Sequence, residues 1–319
     1  MYTKTGNKTL KEYNKLPPDQ PELLEQYIEE HEQQKAPLKQ GAEARIVWHN
    51  KRKKNKTPFS IVYLHGFRGS RSEGAPVHTK IAKSFGCNLY LSRLHGHGLI
   101  RAQKFDDLTP SNLIQSAIDA YKVGQKIGEN VILMGTSTGG ALALYLAGSS
   151  SLSLSIAGLV LYSPLVHIYG KYAPLLESTF GRVLLRLIPG RKYQLHGKKP
   201  FSSDQRHIWY HTCQLNGALA LGKFVQKKIG PSLFQNVRCP AFIGYYYKNC
   251  REHDRMVSTA AIRKMADELG TDSSKIKLKN FPHANTHVIC SSLLSNAVED
   301  VISSTSRFLA SHFPFDVRA

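Results

Sequence analysis

The sequence predicts an α/β protein: a mostly parallel, doubly wound sheet with an inserted helical lid. Three observations carry this. Short, nearly all-apolar runs alternate with segments of helical spacing, the pattern of buried parallel strands joined by crossover helices. A serine bracketed by glycines stands between one such strand and one such helix. The alternation stops at about Leu165 and resumes after about Val237.

In chain order, residues 1–20 read as a tail. Pro21–Gln34 reads as a surface helix, with Asp19 as a cap and Pro21 where a first-turn proline is tolerated. Ala44–His49 alternates as a strand, and Lys51–Pro58 is a charged turn. Phe59–Leu64 and Asn88–Leu91 are short apolar strands. Ser111–Ile127 has helical spacing at Leu113, Ile114, Ala117, Ile118 and Tyr121. Val131–Met134 is a third apolar strand, Gly139–Ala147 a small-residue helix, and Leu159–Tyr162 a fourth strand. Beyond the interruption, Ala241–Tyr247 and Lys275–Phe281 read as strands, Ser258–Leu269 as the helix between them, and Ser292–Leu309 as the last helix. The interruption has helical pieces, prolines and many basic and aromatic residues, but no clear strand. The expected division is therefore a tail and surface helix (1–40), an α/β core in two pieces (41–164 and 238–319) and the lid (165–237).

Composition limits the function classes. The chain has 319 residues, 41% of them hydrophobic, which suits one large α/β domain with an insertion. Its cysteines (Cys87, Cys213, Cys239, Cys250, Cys290) are odd in number and show no C-x-x-C spacing, so neither a disulfide framework nor a structural zinc site is expected. A reducing, cytoplasmic setting fits them. The first fifteen residues are polar and basic, unlike a signal peptide, and no apolar run is long enough for a membrane span. The formal net charge is +20, with basic runs at Lys51–Lys56, Arg182–Lys199 and Lys223–Lys228. No nucleic-acid motif accompanies them, so they read as solvated faces, with peripheral contact to an anionic membrane as the specific alternative. No cofactor and no metal are expected; His95 and His97 have no further ligands spaced with them.

The sharpest chemical signal is Gly135-Thr-Ser137-Thr-Gly139, between Val131–Met134 and the small-residue helix. A tight strand-to-helix turn holds such a serine in a strained conformation with its hydroxyl presented at the carboxyl end of the sheet. Strand and helix then pass so close that the flanking positions must lack side chains. The segment resembles the nucleophile elbow of α/β-hydrolases, and Ser137 is the expected nucleophile. In that pattern a loop ending an earlier strand supplies one N–H to the oxyanion, and the residue after the nucleophile supplies the other. Ile61-Val-Tyr-Leu-His65-Gly66-Phe67 matches the loop, so Phe67 and Thr138 are the expected donors. His65 precedes the serine, whereas this fold places its base last, so His65 reads as structural.

The acid and base follow the nucleophile in this fold. After Ala241–Tyr247 come Glu252 and Asp254; Asp254, three residues before the valine that opens a helix, fits better, and Glu252 is the alternative. After Lys275–Phe281 come His283 and His287; His287, at the end of the loop, is preferred as the base.

His65-Gly66-Phe67, Arg93-Leu-His95-Gly-His97-Gly98, the serine elbow, Asp254-Arg-Met-Val257 and His287-Val together resemble the α/β-hydrolases grouped with monoacylglycerol lipases, carboxylesterases and the serine aminopeptidase family. The resemblance runs from about Phe59 to Phe308 and is weakest in the lid. It implies a Ser137–Asp254–His287 triad, with Arg93–Gly98 shaping the entrance. The activity expected is ester hydrolysis through an acyl-enzyme. Acyl transfer or amide cleavage uses the same groups, and a non-catalytic binding protein is the reading from another class. In the lid, Leu175, Leu176, Phe180, Val183, Leu184, Leu185 and Leu187 form an apolar set beside Arg182, Arg186, Arg191 and Lys192. That set suits either an acyl pocket or packing on the core, and the substrate expected is a medium acyl ester such as a monoacylglycerol or lysolipid.

Overall fold

The computed structural model describes residues 17–33, 37–100, 105–152, 154–171, 173–186, 192–193 and 202–315. Most of the tail therefore lies outside the described residues. So do Leu187, Arg191 and the side chains of Arg186 and Lys192.

The strands are β1 (Arg45–Val47), β2 (Thr57–Leu64), β3 (Asn88–Leu91), β4 (Gly128–Thr136), β5 (Gly158–Tyr162), β6 (Lys192–Tyr193), β7 (Cys213–Gln214), β8 (Ala241–Tyr245) and β9 (Ile276–Asn280). Seven form one sheet in the order β1-β3-β2-β4-β5-β8-β9. Every pairing in it is parallel except β1 with β3. Both faces are covered, which is why the central strands read as continuous apolar runs. Alternate residues pack to opposite sides: Val62, Leu64, Leu133 and Leu161 on one, Ile61, Tyr63, Ile132 and Tyr162 on the other.

The helices of the core are α1 (Pro21–Gln33), α2 (Val77–Ser84), α3 (Pro110–Ile127), α4 (Thr138–Gly148), α10 (Thr259–Glu268) and α11 (Val298–His312). Between β5 and β8 lie α5 (Ala173–Glu177), α6 (Thr179–Arg186), α7 (Ser203–Ile208), α8 (Leu215–Lys228) and α9 (Pro231–Phe234). No described helix is long and apolar enough to cross a membrane.

Four local readings are corrected. Asp19 does not cap α1; its carboxylate accepts a hydrogen bond from Lys126 at 2.6 Å. α3 starts one residue earlier than expected, because Thr109 and Asn112 form a reciprocal capping box ahead of Pro110. The last helix begins at Val298, not Ser292; the serine-rich stretch before it is turned, with Ser295 Oγ accepting the Ala297 N–H at 3.1 Å. Serine and asparagine offer the backbone such local alternatives to a helix. The stretch between β5 and β8, read as strandless, carries the two-residue antiparallel ribbon β6–β7.

Candidate active site

Ser137 sits between β4 and α4 with φ 52° and ψ −114°, a left-handed backbone that a side-chain-bearing residue rarely adopts. The turn is held on both sides. The Ser137 N–H donates to Tyr162 O at 2.9 Å, and Ser137 O accepts from Ala141 and Leu165, both at 3.0 Å. The glycines are required by close approach: a Cβ on Gly139 would lie 1.9 Å from Leu64 O, and one on Gly135 would lie 2.4 Å from the Gly139 carbonyl carbon. Thr138 opens α4, where first-turn N–H groups have no acceptor within the helix and the dipole favours negative charge.

Asp254 follows β8 and is buried. Its Oδ1 accepts the N–H groups of Met256 (2.8 Å) and Val257 (3.2 Å), and its Oδ2 accepts from His287 Nδ1 at 2.6 Å. Burial lowers the His287 pKa, but the charge and hydrogen bond of Asp254 and the charge of Glu73 outweigh it, and the net shift is upward. Ser163 Oγ donates to His287 O at 2.8 Å, fixing the loop from behind. The competing residues lie elsewhere. Glu252 is exposed and paired with Lys248, and His283 is exposed and does not line the cavity.

A cavity of about 240 Å³ lies over the elbow. Ser137, Thr138, Gly66, Phe67 and His287 line it, so the predicted nucleophile, base and oxyanion donors share one space. The walls are otherwise mainly apolar: Leu165, Ile168, Leu176, Ala218, Leu221, Met256, Val257, Val288 and Leu294.

The rings of His65 and His97 are held by the backbone of neighbouring loops. The His65 ring receives the Leu94 N–H at 3.1 Å and contacts Gly66 O at 2.9 Å. His97 receives the Arg68 N–H at 3.0 Å and contacts His95 O at 2.9 Å. Each ring is thus neutral, with Nδ1 as donor and Nε2 as acceptor, and burial pushes His65 down to about 4. Among the described residues no group of three or more His, Cys, Asp or Glu side chains is arranged to hold a metal ion.

The serine aminopeptidase, S33, family model matches residues 59–212, from β2 into the stretch before β7. Solved structures align over almost the whole chain. One is the structure reported with the metagenome-derived lipolytic enzymes LipS and LipT, with a TM-score of 0.67 at 18% identity, covering 86% of this chain and 100% of that one. The chain has the α/β-hydrolase fold. Two further solved structures align comparably. A soluble variant of monoglyceride lipase from Saccharomyces cerevisiae, in complex with a substrate analog, has a TM-score of 0.61 at 14% identity, covering 88% of this chain and 98% of that one. Est1E from Butyrivibrio proteoclasticus, with ferulic acid bound, has a TM-score of 0.59 at 17% identity, covering 84% and 94%. No curated protein matches the chain.

One residue of the site went unread in the sequence. Glu73 is buried, lines the cavity, and accepts hydrogen bonds from the Gly66 N–H and from Trp209 Nε1 at 2.9 Å. Burial pushes its carboxyl up to about 7, against the opposing pull of those two bonds and of His287.

Proposed function

We propose that this chain hydrolyses carboxylic esters through an acyl-enzyme. Ser137 attacks the ester carbonyl while His287 takes its proton. Asp254 fixes the histidine tautomer and stabilises the imidazolium. The N–H groups of Phe67 and Thr138 receive the oxyanion, the alcohol leaves with the proton from His287, and water completes the cycle by the same route in reverse. The observation that carries the reading is the 2.6 Å bond between His287 and a buried Asp254, at a cavity whose floor is a serine in the left-handed conformation.

The mainly apolar walls favour an apolar acyl or alcohol part, and a medium acyl ester such as a monoacylglycerol or lysolipid fits them. We read residues 165–237 as a lid over a core formed by 41–164 and 238–319; Ile168, Leu176, Trp209, Ala218 and Leu221 from that stretch line the cavity. Exposed Phe180, Val183 and Leu184 on α6 fit contact with a lipid surface. The serine aminopeptidase match supports amide cleavage as a second reading on the same groups.

The test is labelling with a fluorophosphonate probe, followed by turnover of an acyl-chain-length series of p-nitrophenyl esters beside aminoacyl amides. Wild type should label and turn over esters, and Ser137→Ala should do neither. Equal labelling of Ser137→Ala would end the hydrolase reading, while preferential amide turnover would move it to the peptidase alternative.

A further inference from the structure

The loop from His65 to Gly74 is wound around a single buried side chain, Glu73. Two positions leave room for it. A Cβ on Gly66 would lie 2.8 Å from Glu73 Oε1, and one on Gly69 would lie 2.1 Å from Oε2. The Gly66 N–H donates to Oε1, and Trp209, from the stretch between β5 and β8, donates to Oε2. A buried carboxylate is costly to keep, and the proposed reaction steps leave this one without a task.

The peptide between Gly66 and Phe67 supplies that task. Its plane is rigid, so the Phe67 N–H points opposite the Gly66 carbonyl. That carbonyl is fixed by the His65 ring at 2.9 Å and the Gly69 N–H at 3.1 Å, while Glu73 holds the preceding N–H. The far side of the loop is tied to the same foreign segment. Tyr210 N–H donates to Arg68 O at 2.9 Å, and the Arg68 guanidinium donates to Tyr210 O and His211 O.

We propose that Glu73 is a positioning residue that aims the Phe67 N–H at the oxyanion, and that Trp209 completes its setting only while the segment around Tyr210 is docked. This rests on the ester-hydrolase reading. The oxyanion loop is therefore finished by a residue more than a hundred positions away, and docking of that segment and competence for chemistry are one event.

Besides the Gly66 N–H and the Trp209 indole, the groups that face the Glu73 carboxylate are His287, the Tyr63 hydroxyl and the Cys290 thiol. Only His287 carries a positive charge in the working range. The Glu73 charge raises the His287 pKa.

The experiment compares Glu73→Gln, Trp209→Phe and the double variant in the full chain. It measures kcat and KM on a short p-nitrophenyl ester, normalised to fluorophosphonate-reactive sites. A glutamine offers one acceptor and must oppose its NH2 to one of the two donors. Glu73→Gln should lose kcat about tenfold to a hundredfold, less than outright removal of an oxyanion donor costs, with KM within about twofold. In the double variant the carboxamide oxygen meets Gly66 and its NH2 faces a phenyl ring, so kcat should recover above that of Glu73→Gln. The acid limb of kcat/KM should move to lower pH in Glu73→Gln.

Unchanged kcat in Glu73→Gln, or strictly additive losses in the double variant, would overturn the proposal. If Glu73→Gln does not fold, Trp209→Phe decides alone, and unchanged kcat there overturns it equally. Failure of the underlying reading looks different: Ser137→Ala would then label and turn over like wild type.

Discussion

Both oxygens of Asp254 are engaged: one holds two backbone N–H groups and the other holds His287. A carboxylate so placed keeps the imidazole in the tautomer with Nδ1 as donor. The base works only when neutral, so activity should rise with pH, and the raised His287 pKa places the midpoint above the ordinary value of 6.5. Asp254→Asn removes the supporting charge. It should move that midpoint downward and lower kcat by about a thousandfold or more, as loss of the orienting acid does in serine hydrolases; a pH–rate profile of kcat/KM checks both. Ser137, Asp254 and His287, the residues of the proposed triad, could be named from the sequence because each sits in a short pattern next to the strand that carries it. Glu73 was not, because its second donor, Trp209, lies 136 residues away and no local pattern announces the pair.

At the scale of elements, the strands were the readable part, since burial on both faces leaves an uninterrupted apolar run. Asn88–Leu91 was read to the residue. The stretch between β5 and β8 was opaque for the opposite reason: apart from α8 its described helices have eight residues or fewer, and they meet the core through contacts that periodicity does not encode. α8 lies so close to α5 that a Cβ on Gly222 would be 2.1 Å from Leu176 O. This packing lets Ala218 and Leu221 of α8 join Leu176 of α5 as one wall of the cavity. A larger side chain there should shorten the accepted acyl chain. Ala218→Phe is expected to keep turnover of acetate esters within about threefold while cutting that of octanoate esters about tenfold or more, since a lost methylene contact is worth on the order of 1 kcal/mol. A chain-length series of kcat/KM is the measurement, and equal losses across the series would remove α8 from the substrate wall.

At the scale of the whole molecule, a buried acid links stability to pH. The Glu73 carboxyl is pushed from its ordinary 4.5 up to about 7, so across that window the folded chain binds more protons than the unfolded one. Stability from this group is complete below about 4.5 and is lost as pH rises towards 7. The shift corresponds to about 3 kcal/mol. Three buried histidines, His65, His78 and His97, have their pKa values lowered by burial and gain stability as pH rises through the same window, so the loss is read as a difference. In urea unfolding at a series of pH values, the stability of wild type relative to Glu73→Gln should fall between pH 4.5 and 7; identical slopes would mean the acid carries no such linkage. The large positive charge acts differently, through solubility and association. Of the two basic runs within the described residues, Lys51–Lys56 is an exposed turn whose Lys54 pairs with Glu25. Lys223, Lys227 and Lys228 lie on the outer face of α8.

Among the described residues the sheet ends in two edge strands, β1 and β9, and its sequence treats each differently. β1 is only three residues long and begins with Arg45. β9 is longer but alternates, Ile276-Lys277-Leu278-Lys279-Asn280, directly after Lys275. A second copy of β9 laid alongside it in antiparallel register would set Lys277 against Lys279, at a cost in like-charge repulsion that backbone pairing must overcome. The edge therefore discourages the strand-by-strand recruitment that begins aggregation, with like charges placed where the sheet is most open to copying.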